Sequence, residues 1–206
     1  VQDKIARELS GQLGFHFAAA AGGDHRTTSA ETYSLYLMAR DMLHSREPEK
    51  VQTARPILER VVRMDPGYAP GWSAHAAAMG IAAQPSLSLG APVDWKSQQK
   101  VALAAVDRAI GLAPDLAEAH ATRGMLLGFR REALPSLERA VKLDPRDTQI
   151  RYWYASALDQ DMRFAAAAAN LLQVARADPF WRNSFAAANA LSELGRGEAA
   201  LALERR

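Results

Sequence analysis

The chain has 206 residues, 49% apolar and 23% charged, which excludes a disordered polymer and is enough for a real core. Lysine and arginine number 25 against 23 acidic residues, and a net charge of +2 sets up no strong field toward nucleic acid or a membrane surface. With no cysteine, disulfides, thiolate metal sites and a cysteine nucleophile are excluded.

In chain order, residues 1–17 read as an amphipathic helix, with Ile5, Leu9 and Leu13 on one face, that closes a preceding domain. Residues 18–29, with Gly22-Gly23-Asp24, read as a linker, and Thr28 or Ser29 is placed to cap the next helix. Residues 30–206 read as a helical array. Helices are expected over 30–44, 51–64, 69–83, 95–112, 117–128, 132–143, 148–160, 163–176, 181–194 and 198–206. The longest apolar run, Phe164 to Ala169, is far too short to cross a membrane. The chain opens on Val1 and stops on Arg205-Arg206 in mid-pattern, so we expect an excerpt of a longer protein. Its compartment is left open, cytoplasmic or periplasmic according to what precedes Val1.

Four segments of the array align. Leu58-Glu59-Arg60-Val61-Val62-Arg63-Met64-Asp65-Pro66 is nearly repeated by Leu137-Glu138-Arg139-Ala140-Val141-Lys142-Leu143-Asp144-Pro145, with looser copies at 106–114 and 171–179. The closing prolines stand at 66, 114, 145 and 179, at intervals of 48, 31 and 34. Small residues recur at Ala39, Ala76, Gly124 and Ala155 in the first helix (A) of each unit. They recur at Ala54, Ala102, Ala133 and Ala167 in the second (B). Two antiparallel helices approach closely only where side chains are small. An apolar residue one turn on (Leu58, Val106, Leu137, Leu171) fills the adjoining space. Proline lacks an N–H and moves its predecessor out of the α region, so each Asp-Pro or Ala-Pro ends a helix B.

This pattern resembles the tetratricopeptide repeat (TPR), a helix-turn-helix unit of about 34 residues. The resemblance implies an all-α, right-handed solenoid of antiparallel helix pairs, with four repeats and a truncated fifth starting at Trp181. Register requires about three extra residues near Arg46 to Lys50, about fourteen within Gln84 to Ser97, and about three fewer near Phe129 to Glu132, all between helices A and B. Pro56 and Pro135 occupy the same repeat position, and both helices B are expected to start late or bend there. In the 84–97 insertion, Asp94 is placed to cap a helix with Trp95 in its first turn. Leu87, Leu89, Val93 and Trp95 suit a loop folded along the groove edge or a flap packed on its own hairpin.

A narrower resemblance covers residues 1–80. Val1-Gln2-Asp3-Lys4-Ile5-Ala6, then Glu31-Thr32-Tyr33-Ser34-Leu35-Tyr36-Leu37-Met38-Ala39-Arg40, resembles a junction in bacterial CadC-like transcriptional regulators and adenylate-cyclase-type signalling proteins. There a TolB-like segment hands over to a TPR region. That resemblance implies an output domain, winged-helix or cyclase, outside these residues.

No motif for chemistry is found. The five histidines, 16, 25, 44, 75 and 120, lack the spacing of a helical zinc pair. His75 and His120 are expected to pack with one hydrogen bond each. There is no phosphate-binding loop and no nucleophile elbow. No enzyme activity, cofactor or metal is expected of this segment. The TPR resemblance implies instead a concave face lined by helices A that binds a protein or peptide. Candidate contact residues are Tyr33, Tyr36, Arg40, Glu118, Met125, Tyr152, Trp153, Ser156, Asp159 and Asn183. Packing within the array is the alternative for Tyr33, Tyr36 and Trp153. The lysine and asparagine pairs that grip a peptide carboxylate in some TPR domains are replaced here by Tyr36/Arg40 and Ala121/Met125. Arg60, Arg63, Arg108, Arg139 and Lys142 alternate with acidic residues on helices B, as on a solvated outer face, so no nucleic-acid or membrane contact is expected. A small-molecule or peptide sensor and a self-associating array remain the other readings.

Overall fold

In the computed structural model, residues 28–84 and 94–177 are described, together with Ser192 and Gly195. The helices expected over 1–16, 181–194 and 198–206 lie outside the described residues or almost wholly so. Residues 85–93 of the insertion and Asn183 lie outside them too. Among the described residues there are eight α-helices, one short 3-10 turn and no strand. The chain divides into two compact units at Leu116 and Ala117.

The first unit holds α1 (Ala30–Ser45), α2 (Pro48–Met64), α3 (Ala69–Ala82) and α4 (Trp95–Leu112), each packed on the next. Ser29 caps α1 by accepting from the Thr32 N–H at 3.2 Å, and Asp94 caps α4 by accepting from the Ser97 N–H at 3.3 Å, both as expected. Ala39, Ala54, Leu58 and Ala76 are completely buried, which fixes the register of the helix pairs. Gly71 lets α3 approach α2: a Cβ there would stand 2.8 Å from Val61 Cγ1.

The second unit holds α5 (Ala117–Leu126), a 3-10 turn (Arg131–Ala133), α6 (Leu134–Leu143), α7 (Thr148–Gln160) and α8 (Phe164–Ala177). Ala121, Ala140 and Ile150 form one core cluster; Ala133, Leu137 and Ala157 form another; Ala155, Leu171 and Val174 form a third. A Cβ on Gly124 would lie 2.6 Å from Leu137 Cδ2, so the α5–α6 contact depends on the absent side chain.

The turns that close helices B repeat in detail. Asp65, Ala113 and Asp144 have φ/ψ of −135/90, −142/87 and −130/87. Each donates its N–H to the carbonyl four residues back, Val61, Ala109 or Ala140. The following proline excludes the α region for each of them. One residue type does not explain the next step. Trp72 Nε1 donates to the Pro66 carbonyl at 3.0 Å, and the Arg151 guanidinium donates to the Pro145 carbonyl at 2.7 Å. Both stand at the fourth position of helix A.

The proline expectation, a late start or a bend, is met as a late start at one of the two positions. Pro135 falls in the first turn of α6, after the 3-10 turn, as anticipated. Pro56 lies inside α2, which starts at Pro48 rather than 51. The extra residues of the first loop fold as an added helical turn, so the helix is established before it meets the second proline.

Candidate functional site

The helices A of the first unit bring three of the expected contact residues together on α1. Tyr33 stacks on Tyr36 with ring centroids 6.2 Å apart, and Tyr36 meets Tyr68 edge-on at 5.5 Å. The Arg40 guanidinium lies 5.7 Å from the Tyr36 ring centroid and donates to its hydroxyl at 3.2 Å. Tyr36 is only 3% exposed, whereas Tyr33 is half-buried and Arg40 is exposed. Tyr36 is therefore a core residue that orients Arg40, and Tyr33 and Arg40 carry the outward face. Burying the ring while the hydroxyl keeps a charged donor satisfies both halves of a tyrosine.

On α5 and α7 the second unit supplies the rest. Met125 is buried at 9% exposure, a packing position rather than a contact face, because α5 turns that side inward. Trp153 packs on both the Ala121 and the Leu137 clusters, 6.2 Å from the Phe129 ring, so the packing alternative describes it. Tyr152 leans on Ala155, Leu171 and Val174 while half-buried. Ser156 donates to the Tyr152 carbonyl at 3.0 Å, and Glu118 and Asp159 are half-buried. Thus Glu118, Tyr152, Ser156 and Asp159 keep partial access to solvent, and Met125 does not.

The outer residues of helices B behave as solvated pairs. Arg63 meets Glu59 at 2.7 Å and Lys142 meets Glu138 at 2.7 Å, at matching repeat positions. Lys142 beside Glu138 holds that carboxyl below the usual carboxylate range, and Glu47 beside Lys50 raises the ammonium. Such exposed pairs contribute little to stability. His75 departs from expectation: its Nδ1 is buried with no hydrogen-bond partner, so the anticipated single bond is not made there. Burial holds the imidazole below its ordinary value, with Glu59 opposing and Arg55 reinforcing the shift. Among the described residues no group of three metal-ligating side chains converges, and no helix is long and apolar enough to cross a membrane.

No protein-family model and no curated protein matches the chain. Solved structures do. The thermophilic TPR protein TTC0263 of Thermus thermophilus matches with a TM-score of 0.63 at 24% identity, over 79% of this chain and 81% of that one. MamA from Desulfovibrio magneticus RS-1 matches with a TM-score of 0.50 at 17% identity, over 87% and 98%. YrrB, described as a TPR protein with an unusual peptide-binding site, matches at 0.45 and 18% identity, over 72% and 76%. The fold is that of a TPR-type array of helix pairs.

Proposed function

We propose that the chain is a protein- or peptide-interaction module whose contact surface is carried by helices A. The observation that supports this most is the division of labour on two of the helices A. Ala39 and Ala155 are wholly buried, while Tyr33 and Arg40 on the helix of the first, and Tyr152, Ser156 and Asp159 on the helix of the second, reach the surface. Residues 1–17 and 18–29 then serve as the end of a preceding domain and its linker, in a larger bacterial signalling protein or transcriptional regulator. Aromatic rings beside an arginine suit an anchor for a partner side chain.

A photoreactive phenylalanine analogue placed at 33 or 152 tests the reading in the native host. Crosslinked partner bands from these positions, and none from 108 or 139 on helices B, are the expected result. Equal crosslinking from 108 and 139 assigns the contact to the other face.

A further inference from the structure

Between α2 and α3 lies a cavity of about 380 Å³, open to solvent and lined by Gln52, Arg55, Pro56, Glu59, His75 and Met79. Its size matches the lower range of small-ligand sites. The side chains that converge on it carry a definite polarity. Arg55 is half-buried and lines the cavity. Glu59 is already engaged by Arg63 at 2.7 Å. With Glu59 held by Arg63, which is not itself a lining residue, Arg55 is the one cation of the lining left to meet a ligand.

The His75 ring adds a directed donor. Its Nδ1 is buried without a partner, so Nε2 is the nitrogen left on the open side. Buried unpaired N–H groups are rarer than under-satisfied acceptors. A neutral ring with its proton on Nε2, the tautomer that leaves no N–H buried, would present that donor to the cavity. Arg55 and His75 then present N–H groups to one space, while Met79, which is buried, and Pro56 supply an apolar wall.

We propose that this cavity binds a carboxylate on an apolar body, with Arg55 pairing the carboxylate, His75 donating a hydrogen bond to it, and Met79 and Pro56 covering the apolar part. The carboxylate belongs either to a free organic acid or to the C-terminus of a peptide. This site stands on the α2–α3 seam, and none of its lining residues is among the outward residues of α1.

The test uses three probes on the full chain: 3-phenylpropionate, its neutral amide 3-phenylpropanamide, and the peptide acetyl-Gly-Phe with a free C-terminus. Binding is followed by the imidazole carbon-bound proton signals of His75, assigned with His75→Gln. Saturable shifts with an acid and none with the amide are expected. Arg55→Gln, with an unchanged thermal midpoint, should weaken the acid about tenfold or more. A stronger response to phenylpropionate assigns the site to free acids, and a stronger response to the peptide assigns it to chain termini. No saturable shift with either acid, an equal response to the amide, or unchanged affinity in a folded Arg55→Gln variant overturns the proposal.

Discussion

The first and third helix pairs carry a proline at the same repeat position, and the two prolines have opposite surroundings. In the first pair, α2 has run from Pro48 for two turns when it reaches Pro56, which costs the helix one backbone hydrogen bond. In the third, a tight turn through Gly128 and Phe129, with φ of 72° and 57°, leads to the 3-10 turn, and α6 opens at Leu134 with Pro135 in its first turn. There the missing N–H would have had no helical acceptor anyway. Yet the packing positions on either side of the prolines agree. Ala54 and Ala133, and Leu58 and Leu137, are all at zero exposure. The comparison teaches that the repeat keeps its side-chain register, while the length of the preceding loop decides where the helix begins.

The largest effect should come from the shared register. Leu58→Ala and Leu137→Ala should each cost about 2–5 kcal/mol, since both empty a sealed position. Chemical denaturation checks this, and a negligible loss at either one breaks the equivalence. Next, Gly124→Leu should cost about 1–3 kcal/mol, because Leu137 already occupies the space. An unchanged midpoint would place the α5–α6 contact elsewhere.

The prolines themselves sharpen the contrast. Pro56→Ala should stabilise by about 1–2 kcal/mol, the restored hydrogen bond and helix propensity outweighing the freer unfolded chain. Pro135→Ala should change stability by less than about 1 kcal/mol. Equal effects from the two would mean that repeat position, not loop length, governs the helix start.

The smallest effect concerns the seventh position of helix A, which His75 shares with Arg123. Arg123 donates to Ser136 at 3.1 Å, whereas the Nδ1 of His75 is buried without a hydrogen-bond partner. The folded chain holds His75 below its ordinary 6.5, so the unfolded chain binds the proton more readily. The stability from neutral His75 is complete above pH 6.5 and is lost as pH falls below it toward the folded-state value. His75→Gln should remove that part of the acid slope in denaturation measured between pH 7.5 and 5. An identical slope in the variant contradicts it.

Much of this was legible in the residues. Small–large pairs such as Ala54 with Leu58, and the Asp-Pro and Ala-Pro stops, placed helix pairs and their buried faces, because close approach and a missing N–H are local demands. The caps at Ser29 and Asp94 followed for the same reason. The start of α2 did not, since Pro56 reads alike whether a helix precedes it or not. Trp72 and Arg151 share a task through unlike side chains, so no residue identity announces it. Tyr36 and Met125 sat at positions that face outward in the repeat pattern, but Tyr68 closes over the first, and the second turns inward with α5. The His75 cavity had no signal at all, because it depends on α2 and α3 meeting side by side.

Amide hydrogen exchange tests the central claim, that loop length moves the helix start while register stays fixed. The N–H groups of Gln52, Thr53, Ala54 and Arg55 should be protected within about tenfold of those of Arg60 to Arg63, as parts of one opening unit. Their repeat equivalents Arg131 and Glu132, whose N–H groups stand at the start of the 3-10 turn, should exchange fast, with protection resuming inside α6. Fast exchange throughout 52–55, with protection beginning only after Pro56, would contradict the account.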